Sequence, residues 1–237
     1  MAKCRSSRLV LLVPVITYMM KMLISLRILL VLLLLACASG SQAVKDVDME
    51  GVDYGFEGTS KKKMVWVRGP WEKIKPSRDI DDVIDQLCPA VMDLPGARDG
   101  DYGREYCGVI YKLLSEDQYY ASKPSSLMDP TLDPANKHKT CLTPTIVKDS
   151  RGVLERKGDY HGHPWASSMS SKDRLRVKQW YMFRIQFDTL CRVQKLIAYV
   201  DDNRPGELYE RQGKSWKLIG YILPEDKDRG YVTPVGQ

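Results

Sequence analysis

The chain has 237 residues, of which 36 are basic and 30 acidic, giving a formal net charge of +6 at pH 7. The first 36 residues hold five basic residues and no acidic one, so the rest has 31 basic and 30 acidic residues. A nearly neutral body excludes any charge-based argument for nucleic-acid binding, and we expect no nucleic-acid partner. About 200 residues are enough for one domain with a sizeable core.

The N-terminal segment has the pattern of a secretory signal peptide. Basic residues precede nine consecutive apolar residues, 28–36, a run too short for a membrane span of about 20 residues. The run Leu34-Leu35-Ala36-Cys37 resembles a bacterial lipobox, in which the cysteine is lipidated after cleavage. This resemblance, with Ala38 after the cysteine, implies an outer-membrane lipoprotein of the bacterial cell envelope, facing the periplasm or the surface.

We therefore predict a signal peptide over 1–36, a lipid on Cys37 that holds the protein at a membrane, and a flexible tether over 37–63. An uncleaved anchor is the alternative. The predicted folded domain covers 64–237.

Hydrophobic patterns predict one helix and several strands in the first half of this domain. The predicted elements are a strand over 64–68, a helix over 79–92, a loop over 94–103, strands over 107–113 and 119–122, an irregular segment over 123–140, and strands over 140–147 and 153–163. Pro89 restricts the helix or splits it.

The second half begins with a predicted helix from Ser170 or Ser171 to about residue 180. Apolar and polar residues then alternate strictly over 183–188, which predicts a half-buried strand. Another strand over 191–200 and a hairpin of strands 207–211 and 216–222 complete the domain. The predicted fold class is α+β with a mixed β-sheet.

Four cysteines follow the predicted signal peptide and Cys37: Cys88, Cys107, Cys141 and Cys191. An exported protein meets an oxidising compartment, so one or two disulfides are expected. Three complete pairings are possible, and the sequence leaves the choice open. No pair has the Cys-x-x-Cys spacing of many zinc and redox sites.

The segment His161-Gly162-His163 carries two of the three histidines of the chain. In a strand, residues two apart face the same side, so both imidazoles project together. Asp173 follows in the first turn of the predicted helix. Two histidines, one carboxylate and an open position form the ligand set of a catalytic zinc. Glu105, at the head of a predicted strand, is the candidate base for the water at such a site.

These residues resemble the motif of the JAMM (MPN+/JAB) metalloprotease family. Glu105-Tyr106-Cys107-Gly108 is similar to its Glu-x-Cys-Gly strand, His161-Gly162-His163-Pro164 to its His-x-His-Pro segment, and Ser170-Ser171-Lys172-Asp173 to its Ser-x-x-Asp segment. The spacer before Ser170 is one residue shorter than is usual in the family.

The resemblance implies a zinc ion (Zn²⁺) held by His161, His163 and Asp173. It implies Glu105 as general acid and base, and Ser170 as a donor that stabilises the oxyanion. It also implies a JAB/MPN-like, cytidine-deaminase-like architecture with helices flanking the sheet.

The expected function is a zinc-dependent peptidase or isopeptidase that acts on a peptide or protein outside the cytoplasm. One alternative is a non-catalytic envelope lipoprotein that uses the fold for binding. Another is a secreted toxin or effector with the same chemistry. Each residue also has a plain structural explanation, because Ser170 and Asp173 match a helix capping box and Glu105 could be a surface charge.

Overall fold

The computed structural model describes residues 51–59, 62–128, 140–200 and 203–236. The predicted signal peptide, Cys37 and most of the predicted tether lie outside these residues, as does much of the predicted irregular segment over 123–140. Within the described part of the chain, no helix combines the length and the apolar composition that a membrane crossing requires.

Eleven strands and one α-helix occur in the described residues. In chain order these are β1 (Tyr54–Thr59), β2 (Lys62–Arg68), α1 (Ile80–Met92), β3 (Tyr106–Leu113), β4 (Tyr119–Ala121), β5 (Ile146–Lys148), β6 (Leu154–Gly162), β7 (Phe183–Phe187), β8 (Val193–Ile197), β9 (Gly206–Gln212), β10 (Ser215–Ile222) and β11 (Thr233–Pro234). Short 3₁₀ helices lie at Gly100–Tyr102, Arg176–Lys178 and Pro224–Asp226.

The strands form two sheets. The smaller sheet has the order β1-β2-β5, and the larger has the order β11-β10-β9-β8-β7-β6-β3-β4. In the larger sheet β6 and β7 are parallel and the other neighbours are antiparallel. Strand β1 was not predicted and lies in the segment assigned to a tether, and β5 is shorter than predicted, since it starts at Ile146 rather than at residue 140.

The predicted fold class is wrong. Strands make up 38% of the structure and helices 13%, with one α-helix and two sheets, so the helices that flank a JAB/MPN-like sheet are missing from the described residues. The predicted helix over 170–180 is a turn followed by the short helix Arg176–Lys178. This segment has no apolar face to bury, because Val177 and Trp180 are 74% and 67% exposed, and short helices depend on such burial.

The helix predicted over 79–92 is confirmed and covers one face of the larger sheet. Asp79 caps it by accepting a hydrogen bond from the backbone N–H of Asp81 (2.9 Å), and Pro89 lies inside it. Its buried face packs on apolar side chains of β3, β6 and β7. The packed residues include Val83, Leu87 and Val91 of α1, Ile110 of β3, Tyr160 of β6, and Ile185 and Phe187 of β7.

Across β6 and β7, the opposite face of the sheet is polar but equally buried. Arg184 and Gln186 of β7 are 2% and 0% exposed, so the prediction of a half-buried strand is wrong. The segment before β7 covers this face: Arg184 donates to the backbone oxygens of Asp173 and Lys178 (both 2.8 Å), and Gln186 donates to that of Ser167 (3.2 Å). These hydrogen bonds pair the guanidinium of Arg184 and the Nε2 group of Gln186, which burial would otherwise leave without partners.

Two disulfides settle the pairing that the sequence left open. Cys88 bonds Cys191, which ties α1 to the turn between β7 and β8, and Cys107 bonds Cys141, which ties β3 to the segment before β5.

Candidate metal centre

Strand β6 places both histidines on the buried polar face. His161 lies in β6, and His163 directly follows its last residue. The backbone N–H of His163 donates to the backbone oxygen of Phe187 (2.9 Å), so pairing with β7 continues past the strand end. Because the two residues are two apart in extended chain, their rings lie on one side, with centroids 5.1 Å apart. Each histidine is 3% exposed.

Asp173 reaches the histidines on a tight turn. The Ser170 hydroxyl lies 2.5 Å from Oδ2 of Asp173, and the backbone N–H groups of Ser170 and Asp173 donate to each other's side chains (3.2 Å each). Arg184 and Gln179 donate to the Asp173 backbone oxygen (2.8 and 2.7 Å). The turn is therefore fixed both within itself and to β7.

Three ligand atoms converge at this place. Oδ2 of Asp173 lies 3.4 Å from Nε2 of His163 and 3.7 Å from Nε2 of His161, and one ligand atom from each of the three residues lies within 4.8 Å of the others. Tetrahedral zinc with bonds of about 2.0–2.2 Å keeps its ligand atoms about 3.3–3.6 Å apart. The donor set and its spacing therefore fit a metal ion, although they do not identify which metal.

One buried imidazole nitrogen lacks a hydrogen-bond partner among the described residues. Nε2 of His161 is buried and has no hydrogen-bond partner among the described residues, since 3.7 Å to Asp173 is too long for a hydrogen bond. Buried polar atoms normally have a partner, and an exception asks for an explanation. A cation bound between this nitrogen and the carboxylate would satisfy it.

The protonation states of two ligands suit metal binding. Burial lowers the pKa of His161, which favours the neutral imidazole that can donate a lone pair. Burial alone would raise the pKa of Asp173, but the neighbouring imidazoles and the Ser170 hydroxyl hold it well below its usual range. A neutral histidine and an ionised carboxylate are the forms that bind metal.

A hydroxyl group orients the second histidine. Nδ1 of His163 lies 2.7 Å from the Ser167 hydroxyl, and the ring stacks on Trp165 with centroids 5.6 Å apart. A proton on Nδ1, donated to Ser167, leaves the lone pair on Nε2, the nitrogen that faces Asp173. Metal-binding histidines commonly use their second nitrogen in this way.

Glu105 lies at the edge of this cluster, immediately before β3. Its Oε1 is 3.9 Å from Nε2 of His163, and its Oε2 accepts a hydrogen bond from the backbone N–H of Cys141 (3.3 Å). The side chain is 10% exposed. Burial, together with the charge of Asp173, raises the pKa of Glu105 to about 8. The structure thus brings together the five candidate site residues, which are Glu105, His161, His163, Ser170 and Asp173.

Ser170 makes a different contact from the one the resemblance implies. A serine hydroxyl has one proton to donate, and here the hydroxyl lies against the Asp173 carboxylate. In this arrangement Ser170 orients a metal ligand. Its role as an oxyanion donor stays a prediction.

Comparisons of the chain with family models, with curated proteins and with solved structures found no match. The resemblance to the JAMM family consequently rests on the motif residues and their convergence, because the observed sheet does not have the architecture expected for that family.

Sequence reasoning missed several residues that shape the site: Ser167, Trp165, Gln179, Arg184 and the backbone N–H of Cys141. The first two lie within four residues of His163, so their nearness along the chain was an available signal. Arg184 showed only as part of an alternating strand, and nothing in the sequence linked Cys141 to Glu105.

Proposed function

We propose that this protein is a zinc-dependent hydrolase that cleaves amide or isopeptide bonds in peptides or proteins. The observation that supports it most is the convergence of His161, His163 and Asp173 within 4.8 Å, with Glu105 Oε1 3.9 Å from His163. Three protein ligands with a carboxylate beside them is an arrangement suited to hydrolysis, since it leaves a coordination position open.

His161, His163 and Asp173 would hold the ion. Zinc bound there would polarise the scissile carbonyl and lower the pKa of water to about 7. Ser170 and Ser167 orient two of the ligands through the hydrogen bonds described above, and rigid ligands preserve the geometry that the reaction needs.

In the proposed hydrolysis, Glu105 carries the proton. A zinc ion beside Glu105 would favour the ionised carboxylate and so offset the rise in pKa that burial causes. The Oε1 atom, on the side of the metal ligands, would then take a proton from the attacking water and deliver it to the leaving nitrogen of the amide. The other oxygen, Oε2, accepts the hydrogen bond from the Cys141 N–H. One carboxylate thereby serves as general base and then as general acid.

The same proposal places the protein outside the cytoplasm, attached to the bacterial envelope by a lipid on Cys37. Two disulfides support export, because such bonds persist in oxidising compartments and are rare in the cytosol.

Glu105→Gln tests the catalytic proposal. We expect the purified variant to keep one zinc per chain by elemental analysis, because Glu105 is not a ligand, and to lose hydrolysis of a quenched fluorescent casein by about 100-fold or more. His161→Ala is the companion variant and should lose both zinc and activity.

Three results would overturn the proposal: a wild-type protein without stoichiometric zinc, a zinc protein without hydrolysis, or a Glu105→Gln variant with full turnover. The second result would favour a non-catalytic envelope lipoprotein. Growth arrest on export of the wild type, absent with Glu105→Gln, would instead assign the same chemistry to a toxin or effector.

A further inference from the structure

We propose that the Cys107–Cys141 disulfide positions Glu105 for proton transfer, through the backbone N–H of Cys141. This inference rests on the proposed function and assigns a role to a bond that is otherwise only structural. Cys141 acts as a positioning residue, because it contacts the proposed general base, Glu105, and not the reacting atoms.

The bond lies on the same face of the sheet as the candidate site. Cys107 pairs directly with His161 across β3 and β6, and Glu105 and Cys107 are two apart, which puts their side chains on one side of extended chain. The disulfide therefore draws the segment around Cys141 over the site face, next to a metal ligand.

Cys141 then holds one oxygen of the carboxylate. Its N–H donates to Glu105 Oε2 (3.3 Å), which leaves Oε1 directed toward His163 (3.9 Å). A carboxylate with one oxygen fixed in this way cannot rotate freely, so the proton-accepting oxygen stays on the side of the metal ligands. The next residue is also anchored, because the N–H of Leu142 donates to the backbone oxygen of Leu127 (2.8 Å).

The disulfide fixes the one residue whose N–H carries this contact. Cys107 itself is held in place: it exchanges two backbone hydrogen bonds with Ser125 (2.9 and 2.8 Å) and is 4% exposed. The covalent link thus transmits the rigidity of β3 to the Cys141 amide. Without the disulfide, the Cys141 N–H can still donate a hydrogen bond, but its position is no longer fixed. A displacement of about 1 Å at a reacting group can lower the rate about 100-fold.

The second disulfide provides a matched control. Cys107→Ala/Cys141→Ala and Cys88→Ala/Cys191→Ala each remove one bond. The second bond joins the β7–β8 turn to α1, where Cys88 lies in the apolar core on the other face of the sheet from the candidate site. Both double variants of the full chain should bind one zinc. Hydrolysis of quenched casein should show kcat lowered about 10- to 100-fold at unchanged KM in the first variant only.

A second measurement does not depend on activity. Hydrogen exchange of the residue 141 amide, normalised to the Ile110 amide in β3, should be about tenfold faster in Cys107→Ala/Cys141→Ala than in the wild type. Glu105→Ala, which removes the acceptor and keeps both disulfides, should give the same acceleration. Cys88→Ala/Cys191→Ala should match the wild type.

Equal loss of kcat in both double variants, or unchanged exchange at residue 141 in Cys107→Ala/Cys141→Ala, would overturn the positioning role. A wild type that binds zinc without hydrolysing casein would contradict the proposed function separately, and the exchange comparison would still decide whether the disulfide holds the amide against Glu105.

Discussion

Ser167 and His163 illustrate how much of the candidate site depends on single hydrogen bonds. The Ser167 hydroxyl is the partner of His163 Nδ1 at 2.7 Å, and the ring has further support from stacking on Trp165. Removal of the hydroxyl leaves the ring free to change tautomer, so that a proton could occupy Nε2 in place of a metal.

Ser167→Ala should weaken zinc binding about 10- to 100-fold, because the orienting partner of a metal-binding histidine typically contributes that much. A competition titration with a chromophoric chelator measures the dissociation constant. Ser168→Ala is the control, since this neighbouring serine is exposed. Equal zinc affinity in both variants would remove Ser167 from the site.

At the scale of elements, the pairing of β3 with β6 brings the two halves of the motif together. Gly108 pairs with Tyr160, and the Tyr160 ring lies over the glycine with its hydroxyl donating to the Ser122 backbone oxygen (2.8 Å). A Cβ on residue 108 would come 2.2 Å from the ring. The glycine of the Glu-x-Cys-Gly segment is thus needed for close packing between these strands.

Gly108→Ala should lower the free energy of unfolding by about 1–3 kcal/mol, the usual effect of overpacking a core. In a Tyr160→Leu background, which removes the ring atoms nearest the new methyl group, the same change should cost markedly less. Urea denaturation of the four proteins forms a double-mutant cycle. Additive costs would show that the ring is not the obstacle.

At the scale of the whole molecule, the polar face of β6 and β7 is covered by irregular chain, which hydrogen bonds from charged and polar side chains hold in place. Arg184 pairs with Asp159 (Nε to Oδ2, 2.8 Å) with both side chains 3% exposed, and its other nitrogens donate to Asp173 and Lys178. A metal at the site would add a bond between β6 and the turn that carries Asp173. Metal binding and the stability of the chain that covers this face are therefore coupled.

Zinc removal should lower the melting temperature of the wild type and increase hydrogen exchange over residues 164–182. At free zinc about 100 times the dissociation constant, the linkage is worth about 2.7 kcal/mol. Asp173→Asn should show a much smaller response to zinc or to chelator, because one ligand is lost. Identical wild-type melting curves with and without chelator would argue against a metal between these elements.

Local sequence patterns were sufficient for several features. The helix at 79–92 followed from apolar spacing, and its observed bounds are Ile80–Met92. Alternating or continuous apolar runs located β3, β4, β6, β7 and the β9–β10 hairpin within a few residues. The His-x-His spacing also placed both imidazoles on one face, because the two-residue period of a strand is a property of its backbone.

The fold class was decided by contacts between distant residues. The segment 170–180 carried a helix-capping signal, but Arg184 and Gln179 hydrogen-bond its backbone oxygens and it has no apolar face to bury. Local propensity gives way where tertiary hydrogen bonds stabilise another conformation. Strand β1 was not predicted for a related reason. Its last four residues, 56–59, are exposed, and the strand is formed by pairing with β2.

The sequence by itself therefore determined the candidate ligands and base, since their residue types and spacings are local, and the capacity for disulfides, since four cysteines suffice for it. Tertiary structure alone decided that β7 is buried on both faces, which cysteines pair, and that the Cys141 amide donates a hydrogen bond to Glu105. Those outcomes depend on which distant backbone groups meet, and packing and hydrogen bonding of the whole chain select that arrangement.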